Sequence, residues 1–120
     1  MKVATLLGAR LDYWVAKAEG HTLSPEWDSA SDGGILIGTG AGDLQCFAPS
    51  TDWADGGPII QRALISVLHG PINDPDGVDY WTGFIRPSDD DGYDGETPLI
   101  AGMRAYVASK FGAEVPGESI

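Results

Sequence analysis

The stretch PSTDWADGGPII, residues 49–60, places turn-forming residues, two carboxylates, two hydroxyls and a tryptophan ahead of two isoleucines. Pro58 suits the first position of a helix, because its missing N–H would have no partner there. We therefore predict a short helix that begins at Pro58, with Ile59 and Ile60 on its buried side. The backbone N–H groups of Ile59, Ile60 and Gln61 would then lie unpaired at a helix start, where anions bind.

Two interpretations of this stretch remain open. In the structural one, Thr51, Asp52 or Asp55 caps the helix and Trp53 fills the core, since such polar side chains are common caps. In the functional one, the stretch lines a pocket with Trp53 as one wall, Asp52 as the structural cap, and Ser50, Thr51 and the backbone of residues 57–59 as ligand contacts. The candidate site residues are Ser50, Thr51, Asp52, Trp53, Asp55, Gly56, Gly57 and Ile59, with countercharge from Arg62 and Arg104.

The composition is that of one soluble globular domain. The chain has 120 residues, of which 42% are apolar, and no apolar run approaches the length that spans a bilayer. Seven basic residues against 18 acidic ones give a net charge of −11, which argues against binding a nucleic-acid backbone but is compatible with imitating one. The N-terminus lacks a secretory pattern, and the single Cys46 suits a reducing cytosol.

Toward the N-terminus, residues 6–19 predict an amphipathic helix that Gly20 ends, with Asp12 and Glu19 pointing away from its apolar stripe. Residues 35–37 and 44–48 predict two strands of a hairpin. The glycine-rich linker between them, residues 38–43, is not a phosphate loop, because no lysine follows at the expected position and no βαβ unit surrounds it.

Toward the C-terminus, residues 64–68 and 79–85 predict a second antiparallel pair, the latter apolar on both faces. Thr97 and Pro98 open a last helix that Gly112 ends, with one apolar side and one side of small residues. The prediction is an α+β fold, in which two longer helices and one short helix pack on a small, mostly antiparallel sheet. It comprises one domain, residues 1–112, and a flexible tail, residues 113–120.

Residues 88–96 form an acidic segment that carries nearly half of the net charge. The spacing of its carboxylates and of Gly92 does not match an EF-hand, so we predict a solvated, mobile loop rather than a calcium site.

Three blocks of the sequence resemble the NinX family of small proteins from tailed phages and prophages. They are residues 11–20 (LDYWVAKAEG), residues 49–60, and residues 97–112 (TPLIAGMRAYVASKFG), in the order found in that family. The resemblance implies a phage or prophage origin and a setting in the bacterial cytoplasm. The family has no catalytic assignment to transfer to these residues.

The residues favour binding over catalysis. Ser50 and Thr51 are candidate nucleophiles, but His21 and His69 are the only histidines that could activate them, and neither lies in a matched block. The sequence supplies no histidine–cysteine spacing for a metal, and no cofactor is expected. The first hypothesis is a pocket for a small anionic, nucleotide-like ligand at residues 50–57. The alternative is an acidic protein-interaction module that engages a basic host protein. The small side of the last helix and the two-sided apolar strand at residues 80–85 predict a homo-oligomer, most simply a two-fold dimer. We expect no contact with nucleic acid or membrane.

Overall fold

A computed structural model describes residues 2–23, 34–38, 44–69, 81–85 and 92–116. Within these ranges the chain forms three α-helices, α1 (Gly8–Glu19), α2 (Trp53–Arg62) and α3 (Pro98–Phe111). None of these helices has the length and apolar character needed to cross a bilayer.

The strands form two small antiparallel sheets rather than the single sheet that the sequence predicts. The first pairs β1 (Ile35–Gly38) with β2 (Leu44–Phe47), and the second has the order β3 (Ile65–His69), β4 (Trp81–Ile85), β5 (Tyr93–Gly95). Ile35 pairs with Phe47, and Ile65 pairs with Ile85. The α+β class is confirmed, and every pairing of these strands is antiparallel. The linker at residues 39–43 lies outside the described residues.

Helix α3 packs across β3, β4 and β5 and also contacts α1 and α2. Its small residues Ala101, Gly102 and Ala105 are buried. A Cβ added at Gly83 or Gly95 would lie 2.5 Å from a backbone atom of Ala101, so the helix approaches the sheet through these two glycines. The small side of α3, predicted to form part of a dimer interface, therefore packs against the chain's own sheet.

The ends of α1 and α3 follow the local signals. Thr97 Oγ1 accepts a hydrogen bond from the N–H of Ile100 at 3.1 Å, and Pro98 occupies the first helical turn. Gly20 and Gly112 follow the two helices with φ of 81° and 88°, a left-handed region that glycine adopts without a steric penalty. The predicted cap and both predicted stops are confirmed.

The predicted start of the short helix is wrong. Helix α2 begins at Trp53, five residues before Pro58, and Asp52 is its N-cap. Pro58 lies inside the helix, although its ring removes a backbone hydrogen bond there. Ile59, Ile60 and Gln61 are interior residues, whose N–H groups bond to carbonyls four residues earlier. They are not a free set of donors for an anion.

Two segments predicted to be loose are packed where the structure describes them. Residues 93–95 form β5 rather than a mobile loop, and Thr82 Oγ1 donates to Asp94 Oδ1 at 2.7 Å. Residues 113–116 also belong to the fold. The backbone of Glu114 forms an isolated antiparallel β-bridge with Lys2, and Val115 is buried in the core. The rest of the acidic segment, residues 88–91, and the last four residues lie outside the described parts of the chain.

Leu64, in the turn between α2 and β3, has a left-handed backbone with φ of 57°. It occupies the position just after the helix end where glycine is the usual residue, since this conformation costs about 1–2 kcal/mol for a residue with a Cβ. Its side chain is exposed, so packing within the described chain does not offset that cost.

Candidate functional site

The segment that leads into α2 is held by two carboxylates from different helices. Asp12 of α1 accepts the N–H of Ser50 at 2.8 Å and the N–H of Gly34 at 2.6 Å. Asp55 of α2 accepts the N–H of Ala48 at 2.9 Å. Because both carboxylates bind backbone, they fix the path of the chain between β2 and α2. The first turn of α2 is therefore presented by a rigid loop.

Asp12 is the residue that the sequence analysis missed. We placed it on the side of α1 away from the apolar stripe, yet it is fully buried. The pKa of its carboxyl is raised above the usual value, chiefly because of burial. The hydrogen bonds from Gly34 and Ser50 offset part of this rise, and the nearby charge of Asp55 adds to it. A signal was present in the sequence: Leu11, Tyr13, Trp14 and Val15 surround Asp12 on several sides, which indicates a helix buried nearly all round.

The polar residues of the loop have separate roles. Asp52 Oδ1 accepts the N–H of Ala54 at 2.9 Å, which confirms its predicted role as the helix cap. Ser50 is buried, and its hydroxyl, although close to the Asp12 carboxylate, lacks the geometry of a hydrogen bond. Thr51 is exposed. Trp53 is 56% exposed, so it does not fill the core.

The neighbouring glycines of α2 have different surroundings. A Cβ at Gly56 would lie 2.4 Å from the carbonyl oxygen of Pro49 and 2.6 Å from Cδ2 of Leu99. Gly56 therefore lets α2 contact both its own entry loop and α3. A Cβ at Gly57 would meet only Cε3 of Trp53, at 3.6 Å, so the indole lies beside this glycine. Ile59, a predicted ligand contact, is instead buried in the core.

The two arginines proposed as countercharges have partners within the chain. Arg62 forms an ion pair with Glu19 at 2.5 Å, and Glu19 also accepts a hydrogen bond from the hydroxyl of Tyr106. Arg104 donates from Nε to the carbonyl oxygen of Leu6 at 2.8 Å and from Nη1 to that of Asp94 at 2.6 Å. Burial lowers the pKa of the Arg104 guanidinium. Both arginines connect elements of the fold.

The contact between Tyr106 and Glu19 predicts that the Tyr106 phenol ionises at a higher pH than an ordinary tyrosine. Burial and the Glu19 carboxylate raise the pKa of Tyr106 from 10.0 to about 12. The pKa of Tyr106 is therefore higher in the folded protein than in the unfolded chain. The stability that the protonated Tyr106 hydroxyl contributes is fully present below pH 10 and is lost as the pH rises toward about 12. In an absorbance titration of the phenols at 295 nm, we expect a late step that Tyr106→Phe removes and Glu19→Gln moves to lower pH. A titration of the folded protein without a late step would contradict this contact.

The fold and this loop define a small, acidic α+β protein with a rigidly held turn that exposes a tryptophan and a carboxylate. The model of the family described as Bacteriophage P22, NinX matches residues 2–110 of the chain. The chain therefore belongs to the NinX family, and the resemblance drawn from the three sequence blocks is confirmed. This membership supports a phage accessory protein. A comparison with curated proteins finds no match.

Proposed function

We propose that this NinX protein acts by binding a basic protein of the bacterial host in the cytoplasm, through residues 50–57, which are the end of the entry loop and the first turn of α2. The observation that carries this proposal is the exposed indole of Trp53 at the start of α2. The carboxylates of Asp12 and Asp55 fix the backbone of the loop that leads into this helix. Exposed tryptophans on rigid elements are typical anchors of protein interfaces. The net charge of −11 favours a partner of opposite sign.

The geometry supports a protein partner better than a small anionic ligand. The anion hypothesis requires backbone donors at residues 57–59 and a positive charge from Arg62 or Arg104. The donors lie inside α2, and both arginines bind other groups of the chain. The start of α2 is already capped by the carboxylate of Asp52, which would repel an anion. The Ser50 hydroxyl, a second predicted contact, is buried.

A homodimer was expected on two grounds, and one of them now has another explanation. The small side of α3 packs against the chain's own sheet through Gly83 and Gly95. The other ground is the apolar strand β4, in which the half-buried Phe84 pairs with the exposed Ser66 of β3. We keep the dimer as a proposal that light scattering at micromolar concentration tests, and a monomer there would refute it.

The proposed function is tested by comparing wild-type protein with Trp53→Ala as baits for a bacterial lysate. Some host proteins should be captured by the wild type but not by the variant, and we expect these proteins to be basic. Their binding should weaken about thirtyfold in Trp53→Ala, as for loss of an interface tryptophan. Raising the salt concentration should weaken it further. Leu68→Ala, which shortens an exposed leucine on β3, is the matched control and should capture normally.

A thermal-shift screen with nucleotides separates the two binding hypotheses. The proposal predicts no stabilisation by nucleotides. If nucleotides stabilise wild-type protein but not Trp53→Ala, and no basic protein depends on Trp53, then the small-ligand hypothesis replaces this one.

A further inference from the structure

Resting on the proposed function, we infer that the binding surface continues along α2 and ends at Leu64. This surface, the α2 strip, consists of Trp53, Gly57, Gln61 and Leu64. It takes a segment of a basic protein that places an arginine on Trp53 and an apolar side chain on Leu64.

The spacing along α2 places three of these residues on one face. Trp53, Gly57 and Gln61 follow one another at intervals of four, so they share a side of the helix. Leu64 comes eleven residues after Trp53, about 16 Å farther along the axis. Ala63 keeps right-handed dihedrals, with φ of −83° and ψ of −1°, so the Cα of Leu64 lies close to the helical course. The positive φ of Leu64 then turns its Cβ away from the direction of a helical side chain, toward the C-terminal end of α2. The two exposed apolar residues therefore lie at the two ends of this helix.

Leu64 combines two features that the fold itself does not require. Its left-handed backbone, with φ of 57°, disfavours any residue with a Cβ. Its side chain is 78% exposed, more than any other large hydrophobic side chain among the described residues. Glycine would fit the same backbone without strain. A leucine here contributes apolar surface at a position where it weakens the fold, which indicates a contact outside the chain.

The charges along the strip favour an arginine-bearing partner. The exposed carboxylate of Asp52 lies next to Trp53, at the start of the strip. At its other end, the charge of Arg62 is paired with Glu19. A guanidinium can stack on an indole and pair with a carboxylate at once, whereas an ammonium lacks the planar face for stacking. The net charge of −11 attracts such a segment from a distance.

The test uses a defined probe, a 16-residue peptide built from the repeat Arg-Arg-Leu-Ala, titrated into the full chain by calorimetry at physiological salt. Two matched peptides replace arginine with lysine or leucine with serine. We expect the wild-type chain to bind the arginine–leucine peptide about tenfold more tightly than either matched peptide. The Trp53→Ala variant should lose the preference for arginine over lysine.

Leu64→Gly decides the inference. Glycine relieves the backbone strain, so the variant should melt no lower than the wild type, and it should lose the preference for leucine over serine. The control Leu68→Ala, at a leucine that is 59% exposed on β3, should keep both preferences. If Leu64→Gly keeps its preference for leucine while Trp53→Ala loses its preference for arginine, then the α2 strip is wrong and the proposed function stands.

If neither variant changes any preference, both the strip and the Trp53 surface are wrong. Sedimentation of the same variants tests a second copy of the chain as the occupant. A dimer that Leu64→Gly converts to a monomer, with peptide binding unchanged, would overturn the inference in favour of self-association.

Discussion

Gly56→Ala is expected to destabilise the protein by about 3 kcal/mol, whereas Gly57→Ala, one residue later in the same helix, should change its stability by less than about 1 kcal/mol. At position 56 the new methyl group would lie 2.4 Å from a backbone oxygen of Pro49 and 2.6 Å from Leu99. A backbone atom cannot move aside cheaply, and forced overpacking costs about 1–3 kcal/mol, occasionally more. The entry loop and α3 would both have to shift.

Gly57→Ala is the matched control for this prediction. Its methyl group would lie 3.6 Å from the Trp53 ring, an ordinary van der Waals contact. Alanine is favoured over glycine inside a helix by up to about 1 kcal/mol, but the ring of the following Pro58 disfavours a Cβ at a helical position before it. These two effects oppose each other, so the variant should stay within about 1 kcal/mol of the wild type. Denaturant unfolding of the two variants measures the difference. Equal stabilities would show that α2 does not approach Pro49 as closely as the structure has it.

Asp12→Ala is expected to cost about 2–6 kcal/mol of unfolding free energy, because it leaves the N–H groups of Gly34 and Ser50 without their acceptor. Each unsatisfied buried N–H costs about 1–3 kcal/mol. Removing a buried carboxylate also removes its desolvation penalty, which moves the expected cost toward the lower half of that range. Asp12→Asn keeps one carbonyl oxygen and should lie between the wild type and the alanine variant.

The pH dependence of the Asp12 variants follows from the raised pKa. Burial raises the pKa of Asp12 above its unfolded value, so its favourable contribution is fully present below about pH 4 and declines as the pH rises through the folded-state pKa. The cost of Asp12→Asn, measured by urea unfolding, should therefore be larger near pH 4 than at pH 7.

Amide hydrogen exchange at Gly34 and Ser50 provides an independent measurement, since both amides should exchange faster in Asp12→Ala. An unchanged rate at both amides would refute the proposed hydrogen bonds.

Local signals were enough to predict most of the secondary structure. The α+β class, the hairpin of β1 and β2, the pairing of β3 with β4 and both ends of α3 follow from side-chain alternation, turn residues and capping. These features depend on neighbours within a few residues. The cap at Asp52 was also correctly chosen, because a short carboxylate that bonds the next backbone N–H groups is a local interaction.

The errors share one physical cause. Helix α2 begins before its proline because Asp55 bonds Ala48 and because Gly56 permits close packing on Pro49 and Leu99, contacts that local propensity does not include. Residues 93–95 form a strand because β4 offers them backbone partners and Gly95 admits α3. In each case packing between distant segments outweighs the local preference.

The sequence by itself determined the family, the fold class, the acidic character and the segment where function was to be sought. Only the tertiary structure decided how that segment is used. It buried Ser50 and Ile59, engaged Arg62 and Arg104 elsewhere, and left Trp53 and Leu64 exposed. The reason is that burial and pairing depend on which segments meet, as when Asp12 and Ser50, 38 residues apart, come within 2.8 Å.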